Sequence, residues 1–278
     1  MAIDLKDKTI IITGASSGIG AASAIECARA GMNVVLNARR EAQLESVAEQ
    51  VRSLGRQAEL VVGDISRTEV NTELIKRASD RFGGFWAVFA NAGYGMEKSV
   101  LDMTMEQLHE IFEVNFFASV DLVQQAGRFL LEHDRQGHLI MCSSCLSRFS
   151  IPYYAPYAAT KSSQAMIARA MRFELEPHGI EVSTIHPITT RTEFFQVAST
   201  RSGQSADTKD VPDHAPSMFI QTPERVARAL VGGLKHPRSE IWTSRIVRFA
   251  SGLFGMSDWI YDKVHRSQAR QYRNKHSG

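Results

Sequence analysis

A tyrosine and a lysine lie one helical turn apart in the segment Tyr157-Ala-Ala-Thr-Lys161. At this i,i+4 spacing a phenol and an ammonium share one helix face, where the cation stabilises the phenolate and lowers the pKa of the phenol. We therefore expect Tyr157 to act as a general acid or base near neutral pH. The pattern alone is weak, because an exposed Tyr and Lys without a function have the same spacing.

A serine hydroxyl precedes this pair, where a predicted strand ends. The strand His138–Cys142 runs directly into Ser143 and Ser144. In open α/β sheets, ligands bind outside the carboxyl ends of the strands. The sequence therefore places Ser144 at the edge of the sheet where a ligand is expected.

A glycine-rich turn follows the first predicted strand, Thr9–Thr13, and reads Gly14-Ala-Ser-Ser-Gly18-Ile-Gly20 before a helix. Such glycines allow a tight turn and a close approach of backbone N–H groups to a pyrophosphate at the helix N-terminus. The Gly-Lys-Ser/Thr ending of a P-loop is missing, which disfavours a nucleoside triphosphatase. The alternative is a strand-to-helix turn that holds no ligand.

Two arginines, Arg39 and Arg40, follow the second predicted strand, Asn33–Ala38. Folds that bind NAD usually carry a carboxylate here, on the ribose hydroxyls, whereas a guanidinium pairs with the 2′-phosphate of NADP. The sequence therefore favours NADP(H) over NAD(H), with Arg39 on the 2′-phosphate. Two solvated arginines at the start of a helix would leave the choice open.

Short apolar runs alternate with helical patterns along most of the chain. The predicted strands are Thr9–Thr13, Asn33–Ala38, Glu59–Val62, Trp86–Ala90, His138–Cys142 and Glu181–Ile185. The predicted helices are Gly18–Ala30, Glu41–Leu54, Thr68–Phe82, Met105–His133 and Pro156–Glu176. Apolar strands separated by helices indicate an α/β fold with a doubly wound, mostly parallel sheet of the Rossmann type and helices on both faces.

The predicted helix Met105–His133 carries a polar residue on its apolar face. Thr104 and Gln107 form a capping box at its start, and Asn115 lies within the apolar stripe that follows. A buried amide without partners costs about 1–3 kcal/mol. We therefore expect Asn115 to have specific hydrogen-bonding partners.

Seven motifs, in order and at matching spacings, resemble those of the short-chain dehydrogenase/reductase family across residues 6–235. They are Thr13-Gly-Ala-Ser-Ser-Gly-Ile-Gly20, Gly63-Asp64, Asn91-Ala-Gly93, Asn115, Ser144, Tyr157-x-x-x-Lys161 and Pro187-x-x-x-x-Thr192. The resemblance implies hydride transfer between NAD(P)H and a carbonyl or alcohol. One departure is Ile188, because the family usually has Gly there, and we expect its side chain to reshape the loop over the nicotinamide.

The resemblance also assigns roles to the matching residues. Tyr157 would exchange a proton with the substrate oxygen, and Ser144 would hydrogen-bond that oxygen. Lys161 would hold the nicotinamide ribose and tune Tyr157, while Asn115 would support a water in a proton relay. The expected cofactor contacts are Gly14, Ser16, Ser17, Gly18, Ile19, Gly20, Arg39, Asp64, Ile65, Asn91, Tyr157, Lys161, Thr190 and Thr192.

The irregular segment from about 190 to 221 is predicted to be a mobile lid over the substrate. Its surroundings are aromatic and apolar, with Phe149, Tyr153, Tyr154, Phe194, Phe195, Met218 and Phe219. This composition favours a small, moderately hydrophobic carbonyl substrate. The alternative is a lid that packs on the domain without touching the substrate.

We predict a domain at 1–242, which binds the dinucleotide and carries the catalytic groups, followed by a basic amphipathic extension at 243–278. Charge is distributed unevenly between the two. Residues 235–278 carry nine Lys and Arg against three Asp and Glu, although the net charge of the 278-residue chain is only +2. Near neutrality argues against nucleic acid as a partner. The extension is expected to pack on the domain or on a second subunit of a homodimer or homotetramer, with a membrane surface less favoured.

Cysteine usage and the N-terminus bear on location. Cys27, Cys142 and Cys145 are too few for a disulfide framework, and Cys142-Ser-Ser-Cys145 is more typical of buried thiols than of a redox or zinc site, so no metal is expected. The first residues lack the apolar stretch of a secretory signal, and no run is long enough to span a membrane. We therefore expect a cytoplasmic protein.

The leading hypothesis is an NADP(H)-dependent carbonyl reductase or alcohol dehydrogenase. A catalytically silent sensor or scaffold that binds NADP(H) is one alternative, although the intact Asn115, Ser144, Tyr157 and Lys161 argue against it. Related chemistry, such as epimerisation or dehydration, is the other.

Overall fold

The computed structural model describes residues 2–202 and 219–256, and within them seven parallel strands form one sheet in the order β3-β2-β1-β4-β5-β6-β7. The strands are β1 Thr9–Thr13, β2 Asn33–Ala38, β3 Ala58–Val62, β4 Ala87–Ala90, β5 Gly137–Cys142, β6 Ile180–His186 and β7 Glu240–Trp242. Strand order reverses between β1 and β4, so a crevice forms beyond the carboxyl ends of these strands. The predicted doubly wound parallel sheet is confirmed.

Helices connect the strands. They are α1 Gly18–Arg29, α2 Glu41–Ser53, α3 Thr68–Phe82, α4 Met105–Phe112, α5 Ala118–Glu132, α6 Ala155–Leu175, α7 Phe194–Arg201, α8 Pro223–Lys235 and α9 Arg245–Met256. A π-turn, Glu113–Phe117, joins α4 to α5, and short 3₁₀ turns lie at Cys145–Ser147 and Glu176–His178. No helix among the described residues is long and apolar enough to cross a bilayer.

Both faces of the sheet are buried. Ile10 of β1 belongs to an apolar cluster with Ala24 of α1 and Leu230 of α8, whereas the next residue, Ile11, belongs to a second cluster with Leu122 of α5. Successive side chains of a strand point to opposite faces. The uninterrupted apolar strands therefore supply both cores, and helices cover the sheet on each side.

The predicted helix Met105–His133 starts where expected but is not continuous. The capping box is present, since the backbone N–H of Gln107 donates to Thr104 Oγ1 at 3.3 Å and that of Thr104 donates to Gln107 Oε1 at 3.1 Å. The helix then changes to the π-turn around Asn115. The prediction of one continuous helix was therefore wrong. A π segment inserts one extra residue into a helix, and an apolar stripe of normal period gives no sign of such an insertion.

The sequence also missed β7. This strand has three residues and pairs only with β6, where Thr184 lies opposite Glu240. So short a run shows no recognisable periodicity. It adds an edge strand beside the carboxyl end of β6, where Trp242 lies close to the site described below.

His138 is a buried titratable group in β5. Its Nε2 lies 2.6 Å from Ser183 Oγ, and the Ser183 hydroxyl donates to the Arg238 carbonyl. The imidazole must therefore donate from Nε2, which leaves Nδ1 unprotonated and without a partner among the described residues. Burial lowers the pKa of His138 to about 3, and the charge of Arg172 adds to the effect.

Acid should therefore destabilise the fold through His138. The unfolded chain takes up a proton below pH 6.5 that the folded chain excludes, so the free energy of unfolding should fall by about 1.4 kcal/mol per pH unit from this histidine as pH decreases from 6.5 towards 3. Urea unfolding of His138→Gln at several pH values should show a shallower slope by that amount. The same change at exposed His178 serves as control, and an unchanged slope in His138→Gln would contradict the assignment.

Candidate active site

A cleft of about 780 Å³ opens at the carboxyl edge of the sheet. It brings together most of the residues that the sequence singled out. Those lining it are Gly14, Ser16, Ser17, Gly18, Ile19, Arg39, Asp64, Ile65, Asn91, Ser144, Tyr157, Lys161, Thr190 and Thr192. Gly20 and Asn115 are not part of this lining, although both contact backbone that borders it.

The glycine turn requires its glycines for two reasons. Gly14 and Gly18 have φ values of +65° and +55°, a region that side chains disfavour. A Cβ on Gly20 would lie 2.1 Å from the Gly14 carbonyl oxygen. The turn therefore leads directly into α1, whose first N–H groups lack helical partners and favour an anion at that end.

Asn91 fastens this turn to the next strand. Its Nδ2 donates to the Thr13 carbonyl oxygen at 2.9 Å, and the backbone N–H groups of Asn91 and Ala92 both donate to Thr13 Oγ1 at 3.0 Å. The ends of β1 and β4 are thereby held together. Asn91 borders the cleft as expected, and Thr13, to which no role had been given, is its partner.

The two arginines after β2 differ in their contacts. Arg39 Nη1 lies 3.9 Å from Asp64 Oδ2. Arg40, which the sequence did not select, donates to Ser17 Oγ at 2.8 Å, to Ser16 Oγ at 3.3 Å and to Glu193 Oε2 at 2.8 Å. A guanidinium and two hydroxyls thus converge beside the glycine turn, a donor set that suits a phosphate. The hydrogen bond from Arg40 lowers the pKa of Glu193.

Ser144 and Tyr157 are neighbours in the lining of the cleft. Ser144 follows β5, and its Oγ accepts from the backbone N–H of Leu146 at 3.1 Å. Tyr157 lies in the first turn of α6 and packs edge-on against Phe194, with ring centroids 5.2 Å apart. Burial raises the pKa of Tyr157 well above its usual range, and its hydrogen bond with Ser144 opposes this only in part.

The expected lowering of the pKa of Tyr157 is therefore wrong for the structure described here. Lys161 Nζ lies 5.6 Å from the centre of the Tyr157 ring, and its hydrogen bonds are made elsewhere. Nζ donates to the Cys142 carbonyl oxygen at 2.7 Å and to Gln164 Oε1 at 3.1 Å. Desolvation of the phenolate is the main cause of the raised pKa.

Lys161 itself is only 3% exposed. Burial lowers the pKa of its ammonium to about 8, so the cation is still the major form at neutral pH. An ammonium has three N–H donors, and two of them are paired among the described residues. One donor is left for a ligand in the cleft.

Asn115 has the partners that its burial demands. Its Oδ1 accepts from the backbone N–H of Tyr94 and its Nδ2 donates to the Tyr94 carbonyl oxygen, both at 2.9 Å. The π-turn also exposes the Asn115 carbonyl oxygen to two side-chain donors, Ser119 Oγ at 3.1 Å and Gln164 Nε2 at 2.6 Å. Extra residues of this kind in helices are often found at functional sites.

Gln164 is a polar residue that the sequence analysis missed. It lies on α6 with no exposed surface, one turn after Lys161. The signal was available, because i,i+3 spacing from Lys161 puts it on the same helix face as Tyr157 and Lys161. Its amide bridges Lys161 to the π-turn.

His186 supports the Ser144 loop from behind. Its Nδ1 lies 3.0 Å from the Ser144 carbonyl oxygen, its Nε2 lies 2.8 Å from Thr184 Oγ1, and its ring stacks on Trp242 with centroids 4.5 Å apart. Burial lowers the pKa of His186 to about 4. The neutral imidazole therefore holds the backbone that carries Ser144.

The threonines after β6 have different environments. The Thr190 hydroxyl donates to the Ile188 carbonyl oxygen at 2.8 Å and accepts from Gln221 Nε2 at 3.0 Å. Thr192 lies over the glycine turn, since a Cβ on Gly18 would be 2.9 Å from its Cγ2. Ile188 is buried and lines the cleft. Thr192 is therefore better placed than Thr190 to reach a bound dinucleotide.

The other end of the cleft is apolar. Phe149, Ile151, Tyr154, Phe194, Phe195, Val197 and Phe219 line it, together with Ile246, Val247 and Ala250 of α9. The sequence analysis had assigned α9 to an extension outside the catalytic domain, whereas the structure puts one face of this helix on the cleft. Residues 203–218 of the predicted lid, including Met218, and residues 257–278 of the extension lie outside the described residues.

The two cysteines near the cleft are not activated thiols. Burial raises the pKa of both Cys142 and Cys145 to about 11. Within residues 2–202 and 219–256, no group of His, Cys, Asp and Glu is arranged to hold a metal. The buried-thiol interpretation of Cys142-Ser-Ser-Cys145 agrees with these environments.

Comparison with known proteins identifies similar sequences. The family model described as short chain dehydrogenase matches residues 8–202. The chain is 30% identical to "Uncharacterized oxidoreductase MT0954" of Mycobacterium tuberculosis, over 90% of this chain and 93% of that protein. It is also 30% identical to the A-factor type gamma-butyrolactone 1'-reductase of Streptomyces virginiae, over 81% of this chain and 87% of that one.

A solved structure extends the likeness to three dimensions. An alcohol dehydrogenase from the archaeon Thermococcus sibiricus, complexed with 5-hydroxy-NADP, matches with a TM-score of 0.71 and 28% identity. The match covers 84% of this chain and 95% of that one.

Gly20→Ala should distort the glycine turn and destabilise the protein. The added Cβ meets a backbone oxygen that cannot move without displacing Gly14, so the melting temperature should fall by several degrees. The control is Gly232→Ala in α8, where an added Cβ meets nothing within 4 Å and should stabilise by about 0.5–1 kcal/mol. Equal effects in thermal unfolding would contradict the tight contact.

Proposed function

The chain belongs to the short-chain dehydrogenase family, and from that premise we propose that it is an NADP(H)-dependent carbonyl reductase in which Tyr157 is the general acid. As an oxidoreductase of this family it acts on alcohol or carbonyl groups. The observation that carries the proposal is the meeting of Ser144, Tyr157 and Lys161 in one cleft with the glycine turn. Acid, hydroxyl and cation thereby face the space next to a dinucleotide cradle.

The residues of the cleft fit NADP(H). The glycine turn and the first N–H groups of α1 suit the pyrophosphate, and Arg39 and Arg40, with the hydroxyls of Ser16 and Ser17, suit the 2′-phosphate. By family resemblance, Asp64 and Ile65 would contact the adenine, Asn91 would border the cofactor, and Thr190 and Thr192 would reach the carboxamide. Bound NADP(H) supplies or accepts the hydride.

The chain's own residues handle the substrate oxygen. Ser144 donates a hydrogen bond to it, and Tyr157 gives it a proton as negative charge develops. The phenol of Tyr157 is protonated at neutral pH, as a proton donor must be. The remaining N–H of Lys161 would hold the nicotinamide ribose, as the family resemblance implies.

The apolar end of the cleft favours a moderately hydrophobic substrate. Phe194 contacts Tyr157 directly, and Ile246 and Val247 form another part of the wall. Such walls exclude water from the reacting oxygen and offer few polar partners to a sugar-like substrate.

A homodimer or homotetramer in the cytoplasm stays a prediction. Exposed apolar side chains on α6 and at the π-turn support self-association, because Phe117, Met166 and Phe173 are 53%, 66% and 70% exposed. The cytoplasmic location likewise stays the expectation drawn from the sequence.

Replacing the proposed acid should separate catalysis from binding. With NADPH and a panel of ketones, aldehydes and quinones, Tyr157→Phe should lower kcat by about 10²- to 10⁴-fold, because the proton donor is lost. NADPH affinity, measured by fluorescence titration, should stay within about twofold. Tight NADPH binding by the wild type without oxidation on any substrate would favour the sensor, and product analysis would reveal epimerisation or dehydration.

Cofactor preference should depend on the two arginines. Arg40→Ala and Arg39→Ala should each weaken NADPH binding by about 10- to 100-fold and leave NADH nearly unchanged, because each removes a charged donor to the 2′-phosphate. Glu193→Gln should tighten NADPH, since Glu193 competes for Arg40. Arg29→Ala, on the exposed side of α1, is the control. Equal losses for both cofactors would overturn the assignment.

A further inference from the structure

Gln164 occupies a position that touches two of the proposed catalytic residues at once. Its Oε1 accepts from Lys161 Nζ at 3.1 Å, while its Nε2 donates to the Asn115 carbonyl oxygen at 2.6 Å and to Ser119 Oγ at 3.0 Å. The side chain has no exposed surface. Both N–H groups and one oxygen lone pair of the amide are therefore committed inside the protein.

Only one orientation of the amide satisfies its neighbours. The Lys161 ammonium can only donate and the Asn115 carbonyl can only accept. A flipped amide would set donor against donor and acceptor against acceptor. A side chain with an acceptor and a donor on one short planar group is thus required between them, and glutamine provides both.

Few other groups hold the ammonium. The Cys142 carbonyl oxygen is its second acceptor, and no carboxylate pairs with it among the described residues. The titratable groups near it are Tyr157 on its own helix and the thiols of Cys142 and Cys145 at the end of β5; the π-turn and the loop after β4 present Asn115 and Gly93. The amide oxygen of Gln164 therefore has a large share in keeping the cation charged and in place.

We propose that Gln164 is a positioning residue of the reductase site, which fixes the Lys161 ammonium by tying it to the carbonyl of the Asn115 π-turn. The proposal rests on the proposed function for its effect on turnover, but its structural part concerns only the chain itself. Gln164 thus links the Lys161 ammonium on α6 to the π-turn between α4 and α5. The third N–H of Lys161 is thereby aimed at the cleft.

Two substitutions at Gln164 should shift the titration of Lys161 in opposite directions. Gln164→Met keeps an unbranched side chain but removes the acceptor, so the pKa of Lys161 should fall by about one unit. Gln164→Glu places a carboxylate on the ammonium, so the pKa should rise. Gln124→Leu, on the exposed face of α5, is a control for loss of a glutamine and should change nothing.

The measurement is an NMR titration of the lysine Nζ signals in the protein without cofactor, with Lys161 assigned by the loss of its signal in Lys161→Met. With NADPH, the alkaline limb of kcat/KM should move in the same direction as the pKa of Lys161 in each variant, and kcat of Gln164→Met should fall at least about tenfold. A purely structural role would lower the melting temperature without moving either titration.

The proposal is overturned if a folded Gln164→Met or Gln164→Glu leaves the pKa of Lys161 at the wild-type value. It is also overturned if both variants shift it the same way. Should the wild type show no reductase activity, the proposed function fails, yet the NMR titration still decides whether Gln164 holds Lys161. If Gln164→Met does not fold, the upward shift in Gln164→Glu remains a sufficient test.

Discussion

The burial of one cation, the ammonium of Lys161, is the constraint on which the candidate site depends. Taking an isolated ammonium out of water is costly, and among the described residues no carboxylate offsets that cost. The compensation comes from fixed dipoles, the carbonyl of Cys142 at the end of β5 and the amide of Gln164 on α6. The sheet end, the helix and the π-turn must therefore keep their relative positions for the cation to stay charged.

The π-turn at Asn115 is the second half of this arrangement. The Asn115 carbonyl oxygen accepts from two side chains, Ser119 Oγ and Gln164 Nε2. The side chain of the same residue is bound to the backbone of Tyr94, beyond the end of β4. Asn115 is therefore connected through its side chain to the loop after β4, and through its carbonyl oxygen and Gln164 to Lys161. These contacts explain why a polar side chain lies within an apolar stripe.

Local patterns predicted the fold, and most of the residues that they singled out line one cleft. The glycine turn, Ser144 at a strand end and the Tyr157 to Lys161 spacing are each contained in a few residues, so their geometry follows from one turn or one helix. What the sequence missed depends on contacts between distant segments: Arg40 with Glu193, Gln164 with Asn115, and α9 on the cleft. The prediction for the pKa of Tyr157 failed for the same reason, because it considered one neighbouring charge, whereas burial, a property of the whole cleft, raises this pKa.

At the charged end of the cleft, weak ion pairs position two arginines for a phosphate. Arg40 and Glu193 are roughly half exposed, and Arg39 and Asp64 form a longer, exposed pair. Ion pairs of this kind contribute only about 0–1 kcal/mol. They orient the guanidiniums beside the glycine turn, yet a phosphate dianion can displace the carboxylates with a net gain, since it offers more acceptors and more charge. By contrast, the buried contacts of Lys161 have no solvent to replace them. The exposed pairs can therefore exchange partners when a cofactor enters, while the cation beside Tyr157 stays where the reaction needs it.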